Sequence, residues 1–189
     1  MKSKELQIKI KVSDTYKKFF RDLAISRSTG HYFVEDFKSP ELPEYKTSGS
    51  SGLDLYWIGD KSELDYYEHD IFHGSRFAGS GLMPGQFKLF GTGIYISIPE
   101  GYEAQIRSRS GLAAKNGVFV LNSPGTVDCD FRNELKVILA NFSDEVVELN
   151  PGDRIAQLVF AKAEHIQWDL VEELDETERG TKGFGSTGV

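Results

Sequence analysis

What most constrains this chain is the region after Pro84, where short runs of alternating apolar residues are cut by glycine, proline and asparagine. The pattern predicts strands at 86–90, 93–98, 102–109, 117–121, 133–142, 145–149, 154–161 and 165–171. The breaks carry turn chemistry: Pro99-Glu100-Gly101, the run 122–125, and Asn150-Pro151-Gly152-Asp153. Glycine supplies backbone angles closed to other residues, and proline presets a turn and cannot donate to a ladder, so such clusters end strands. Many short strands at this spacing argue for an all-β sandwich or barrel. Nineteen glycines among 189 residues fit that number of turns. A chain of this length is most simply one domain with a real core.

Ahead of that region the signals are mixed. Leu6, Ile8, Ile10 and Val12 alternate with polar residues and predict a half-buried strand. Ser13 can cap a short helix whose Tyr16, Phe19, Phe20 and Leu23 share one face. Residues 27–50 lose periodicity and read mostly as loop, with a short strand at 32–34. The run 51–56 is a short strand entered through a glycine-rich turn. Residues 59–86 are irregular, with an acidic and aromatic run that includes Tyr66 and Tyr67. His69 and His73 have the spacing of helical metal ligands, but no third ligand accompanies them, so exposed histidines are the simpler reading.

Charge and cysteine content exclude several classes. The net charge of −7 speaks against wrapping nucleic acid, while a few local arginines could still hold a phosphate. The single cysteine, Cys129, can form no internal disulfide and belongs to no zinc-type cluster. It lies between Asp128 and Asp130, which disfavour a thiolate, so a small packed residue is expected rather than a nucleophile. The chain reads as intracellular, that is cytoplasmic. No apolar run approaches membrane length, and the first residues lack a signal-peptide core.

Five stretches, 51–56, 107–114, 122–132, 151–160 and 179–188, are richer in Gly, Ser, Arg and Asp than packing requires, the third of them inside the segment 121–139 (LNSPGTVDCDFRNELKVIL). That segment reads as a strand end, a turn through Asn122-Ser123-Pro124-Gly125, and a returning strand, with Asp128 and Phe131 near the tip. Alone, it is an ordinary Ser-Pro-Gly turn whose aspartate bonds local backbone. Arg109-Ser110-Gly111 suits phosphate oxygens, or equally a solvated strand face. Gln157 is a polar residue among Ile155, Ala156, Leu158 and Val159, in a turn-plus-strand run. From Glu172 the chain is acidic, then glycine-rich from Arg179, and is expected to be mobile when free. It is no phosphate-binding P-loop, because Gly185 is followed by Ser186 and Thr187 rather than by a Lys that opens a helix.

Taken together, SGLDLY, RSRSGLAA, LNSPGTVDCDFRNELKVIL, PGDRIAQLVF and RGTKGFGSTG resemble the homotrimeric dUTPase family, in order and at suitable spacing. The runs ELPEYKTSGS and TGIYISIPEGYEAQIRSRSGLAAKNG fit as well, so the resemblance covers about two-thirds of the chain. It implies a distorted jelly-roll β-barrel over 1–171, with insertions at about 13–38 and 57–85, and a C-terminal arm, 172–189, that closes over the site. It also implies Mg²⁺-assisted hydrolysis of dUTP to dUMP and pyrophosphate by a homotrimer whose sites draw on more than one chain.

The resemblance assigns roles residue by residue. Asp128 matches the carboxylate that orients and deprotonates the attacking water. Asn122, with hairpin backbone at Gly125 and Val127, matches the uracil-reading groups, which reject cytosine through its amino group. Phe131 matches the ring under the deoxyribose, where most relatives carry Tyr. Arg109, Ser110, Gly111 and Gln157 match triphosphate-binding positions, and Asp54 a carboxylate near the metal, acting through water. Mg²⁺ itself would be held mainly by phosphate oxygens and water. In the arm, Arg179 matches the γ-phosphate arginine and Phe184 the ring that stacks on uracil, while Gly185, Ser186 and Thr187 match phosphate contacts.

Two other functions remain to be weighed. The dCTP deaminases share the fold, but they carry a catalytic Glu further along the strand after the hairpin. Ten residues beyond Asp128 this chain has Ile138. A non-catalytic regulatory module on the same fold would be expected to lose Asp128, Arg109 or the arm, and all three are present. The insertions are aromatic-rich (Tyr16, Phe19, Phe20, Tyr66, Tyr67) and are expected to pack on the β core, with a protein-docking surface as the lesser alternative.

Overall fold

The computed structural model describes residues 6–27, 42–59, 69–70, 81–178 and 180. In chain order the elements are β1 (Lys9–Val12), α1 (Asp14–Arg27), β2 (Leu53–Tyr56), β3 (His69–Asp70), β4 (Gly81–Leu82), β5 (Gln86–Gly91) and β6 (Ile94–Ser97). They continue with β7 (Tyr102–Arg107), α2 (Ser110–Asn116), β8 (Val118–Val120), β9 (Gly125–Val127), β10 (Lys136–Asn141), β11 (Val147–Glu148) and β12 (Arg154–Lys162). The strands form two four-stranded sheets, β3-β5-β10-β8 and β2-β12-β7-β9, and two two-stranded pairs, β1-β6 and β11-β4. Every neighbour pair among the described residues is antiparallel. Sheet neighbours such as β5-β10 and β2-β12 are far apart in sequence, so the chain crosses repeatedly between sheets in the jelly-roll manner.

Alternation along the strands builds the core. Residues of β5 are buried at every second position, as are those of β6. Leu55, Phe90, Ala104, Val118, Val137, Leu139 and Ile155 are fully buried. Each large one contributes about 1.5–3 kcal/mol relative to an exposed side chain. The aromatic helix predicted after Ser13 is present: the Tyr16 N–H donates to Ser13 Oγ at 3.0 Å, and Tyr16 and Phe20 are buried. Helix α1 is therefore part of the core, as expected for this insertion. Trp57 and Ile58, at the edge of the second insertion, are also core residues. Tyr66, Tyr67 and His73 lie outside the described residues, as does the predicted strand at 32–34. His69 sits in β3 opposite Phe87, a strand position at which helical ligand spacing has no meaning.

Three expectations about elements need correction. The strand predicted over 102–109 stops at Arg107, and residues 110–116 form α2. Gly117 ends that helix at φ 65°, and its N–H donates to Ala113 O at 3.0 Å, an αL C-cap. The predicted strand at 165–171 is absent: that segment carries exposed Ile166, Trp168, Leu170 and Val171 with no ladder partner. Finally, β8 and β9 do not pair as a hairpin. β8 pairs with β10 in one sheet and β9 with β7 in the other, so the turn between them bridges two sheet edges. Among the described residues, no helix is long and apolar enough to cross a membrane.

Candidate active site

The bridging turn is fixed from both sides. Leu121 N–H donates to Ile138 O at 2.9 Å, Val120 N–H to Ser108 Oγ at 2.9 Å, and Ser123 N–H to Val120 O at 3.1 Å. The Ser123–Pro124 bond is cis. At Gly125 a Cβ would stand 3.1 Å from Asn122 Nδ2 and 3.5 Å from Ile106 Cβ. The missing side chain lets the Asn122 amide lie close over the β9 backbone.

A cleft of about 170 Å³ opens there. Asn122, Gly125, Thr126, Val127, Asp128 and Phe131 line it, against apolar walls from Leu89, Ile106 and Ile138. Its lining includes the planar amide of Asn122, an exposed ring (Phe131) and an exposed acidic residue (Asp128). Arg132 braces the loop below by donating from Nη1 to the carbonyls of Cys129 and Phe131 at 2.6 and 2.8 Å. Cys129 packs against the core, as its acidic neighbours suggested.

A second polar group lies at the β2-β12 ladder. Asp54 is only 4% exposed and stands opposite Gln157 in register. Its Oδ1 is 3.3 Å from Arg109 Nε, and its Oδ2 accepts from Arg154 Nη1 at 3.1 Å. Gln157 Nε2 reaches Oδ1 at 3.5 Å. Arg109 also donates from Nη1 to the Arg154 carbonyl at 2.7 Å. Two guanidiniums around one buried carboxylate offset its desolvation and hold each other's geometry. Ser110 and Gly111 follow Arg109, exposed in the first turn of α2.

Residues singled out from the sequence fall into these two groups. Asn122, Gly125, Val127, Asp128 and Phe131 share the cleft; Asp54, Arg109 and Gln157 share the cluster. The cleft lining contains no member of the cluster. Arg179, Phe184, Gly185, Ser186 and Thr187 lie outside the described residues. Arg154 and Arg132 were given no role by sequence reasoning. Arg154 stands in the quoted PGDRIAQLVF, but its partner is Asp54, 100 positions earlier, and no local pattern reports so distant a contact.

The dUTPase family profile matches residues 80–188. The chain belongs to the dUTPase family. Curated dUTPases agree: the deoxyuridine 5'-triphosphate nucleotidohydrolase of Orientia tsutsugamushi strain Ikeda is 51% identical over 148 residues, covering 78% of this chain and 88% of that protein. The enzyme of the same name from Chlamydia muridarum is 46% identical over 158 residues, covering 83% and 97%. Among solved structures, the Staphylococcus bacteriophage 80alpha dUTPase with dUPNHPP superposes with TM-score 0.65 at 22% identity, over 97% of this chain and 99% of that one. A phage phi11 dUTPase, solved with a structural Mg(II) ion, gives TM-score 0.57 at 18% identity over 88% and 97%. At these identities the two structures speak for the dUTPase fold.

Proposed function

We propose that this dUTPase-family chain is a dUTP diphosphatase, hydrolysing dUTP to dUMP and pyrophosphate. The observation that carries the reading is the cleft: a planar amide, open backbone, an aromatic ring and a free-standing carboxylate around a volume of about 170 Å³. Asn122 and the backbone at Gly125 and Val127 pair with the imide edge of uracil. The exocyclic amine of cytosine meets donors there, and an unpaired buried polar edge is a far stronger rejection than a missing methylene. Phe131 lies against the deoxyribose, where a 2′-hydroxyl would crowd the ring. Asp128 orients a water and takes its proton as it attacks the α-phosphorus in line, while pyrophosphate leaves. Asp54 holds Arg109 and Gln157 for the phosphate chain. Arg179, Phe184, Gly185, Ser186 and Thr187 close the site and exclude water.

Mg²⁺ fits the residues present in one way. Among the described residues no group of three or more His, Cys, Asp or Glu could hold a metal, and Asp54 already meets two guanidiniums. An ion held by phosphate oxygens and water, touched by the protein only indirectly, suits that donor set. When bound, it would neutralise charge on the phosphates. Assembly as a homotrimer is supported by two features: the cleft lining contains no member of the Asp54 cluster, and Ile166, Trp168 and Leu170 are exposed in a segment outside the described strands. Such a segment gains an apolar seat on a neighbouring subunit.

The deaminase alternative finds an apolar residue, Ile138, on the cleft wall where an acid would be needed. Pyrophosphate and ammonia assays across dUTP, dCTP, dTTP and UTP with Mg²⁺ test the proposal. Pyrophosphate from dUTP at a kcat/KM well above the other three is the expected result. Ammonia from dCTP would overturn it, and no pyrophosphate from dUTP would leave a non-catalytic module.

A further inference from the structure

No residue of helix α1 is among those lining the cleft, yet its Phe19 packs on the turn that feeds the Asp54 cluster. Gly152, in that turn, has φ 94°, and a Cβ there would stand 2.7 Å from Phe19 Cζ, so the Phe19 ring lies directly over the glycine. Phe19 is held by an edge contact with Phe20, centroids 5.2 Å apart, and Phe20 in turn meets Tyr16 and Tyr56 at 4.6 and 6.1 Å. Tyr56 is the register partner of Arg154. The turn is tied to the end of β2 by Gly152 N–H to Trp57 O and Trp57 N–H to Asp153 O, at 2.6 and 3.0 Å.

Arg154 leaves this turn at a register shift, with Tyr56 opposite Arg154 and Leu55 opposite Ala156. Such a bulge kinks a strand and re-aims a side chain, so the direction of Arg154 depends on where the turn is held. Arg154 then makes two contacts that matter. Its guanidinium meets Asp54 Oδ2 at 3.1 Å, and its own carbonyl accepts from Arg109 Nη1 at 2.7 Å. One displacement of the turn disturbs both arms of the cluster. None of the cleft-lining residues belongs to the turn or to α1.

We propose that Phe19 is a positioning residue for the triphosphate end of the substrate, acting through the Gly152 turn and Arg154 on Asp54 and Arg109. The proposal rests on the dUTP diphosphatase reading for the identity of the ligand. It makes the first insertion a brace of the phosphate half of the site, and it leaves the base-reading half untouched. Removing the ring opens a cavity beneath the turn, and a shift of under an ångström there is enough to cost substrate alignment.

The test compares full-length wild type, Phe19→Ala and Phe19→Leu. It reads steady-state kinetics on dUTP with Mg²⁺, binding of dUMP and of the imido analogue dUpNHpp by calorimetry, and circular dichroism of each variant. For Phe19→Ala the expected result is dUpNHpp affinity and kcat/KM for dUTP each reduced about tenfold, with dUMP affinity within about twofold of wild type. Phe19→Leu, which restores branched bulk, should recover most of the loss; if Phe19→Ala does not fold, a reduction of about threefold in Phe19→Leu carries the proposal. Folded variants with unchanged dUpNHpp binding and kcat/KM overturn it. So does an equal loss of dUMP and dUpNHpp binding, which marks Phe19 as general packing. Wild type that releases no pyrophosphate from dUTP instead overturns the functional reading.

Discussion

At the scale of single residues, the cleft and the cluster make different demands. Asp128 is exposed and lines the cleft, so its replacement should alter chemistry more than stability. Asp128→Asn should keep dUpNHpp binding within about threefold and lower kcat by about 10²–10⁴, the usual range for a positioned general base; unchanged turnover would remove the base role. Arg154 is a structural matter first. Stripping one partner from a buried ion pair costs about 3–5 kcal/mol, but the Arg154 side chain is 46% exposed and water reaches it. Arg154→Ala should therefore lower stability by about 1–2 kcal/mol, read as a shift of the urea midpoint, together with weaker dUpNHpp binding. Asn122 to Phe131 could be singled out from the sequence because they lie within one short run that, with four others, carries the family resemblance. The Asp54–Arg154 contact could not, because a side-chain pair across a ladder leaves no local signature.

At the scale of elements, α1 was legible and α2 was not, for the same physical reason. Helix α1 buries Tyr16 and Phe20, so its apolar spacing shows in the sequence and Ser13 marks its start. The seven residues of α2 bury none, so no face is written into them. Gly117 was the available signal, a glycine after Ala-Ala-Lys-Asn. Its φ of 65° and the 3.0 Å approach to Ser143 N leave no room for a Cβ. Gly117→Ala should cost at least about 1–2 kcal/mol from the left-handed backbone alone, measured by chemical denaturation; a midpoint equal to wild type would contradict the cap assignment. The segment 165–171 was misread because its alternation is that of a strand, yet alternation does not by itself create a ladder, and no described strand pairs with it. The turn at 121–125 was read as a hairpin because sequence shows that the chain reverses, and only the three-dimensional pairing shows that its two arms join different sheets.

At the scale of the molecule, strand spacing predicted an all-β sandwich or barrel and the family resemblance implied the jelly roll, and the antiparallel sheets and the likeness to solved dUTPases bear both out. The proposed homotrimer makes its own demand at this scale: the cleft lining contains no member of the Asp54 cluster, and Trp168 and Leu170 are exposed. Light scattering of the full chain should give a mass three times 21.2 kDa. Removing the residues from Arg179 onward should preserve the trimer, at three times the shortened chain's mass, and cut kcat/KM for dUTP by about 10² or more, since the arm would supply phosphate contacts and exclude water. A truncated protein that falls to monomers would show the arm to be structural instead.

The central claim is that an Asp128-activated water attacks the α-phosphorus of dUTP. Hydrolysis of dUTP in ¹⁸O-water, with the products resolved by mass spectrometry, tests it most directly. The account predicts one ¹⁸O atom in dUMP and unlabelled pyrophosphate, with the same labelling at a greatly reduced rate in Asp128→Asn. Label in pyrophosphate, release of inorganic phosphate instead, or dUTP left intact would contradict it.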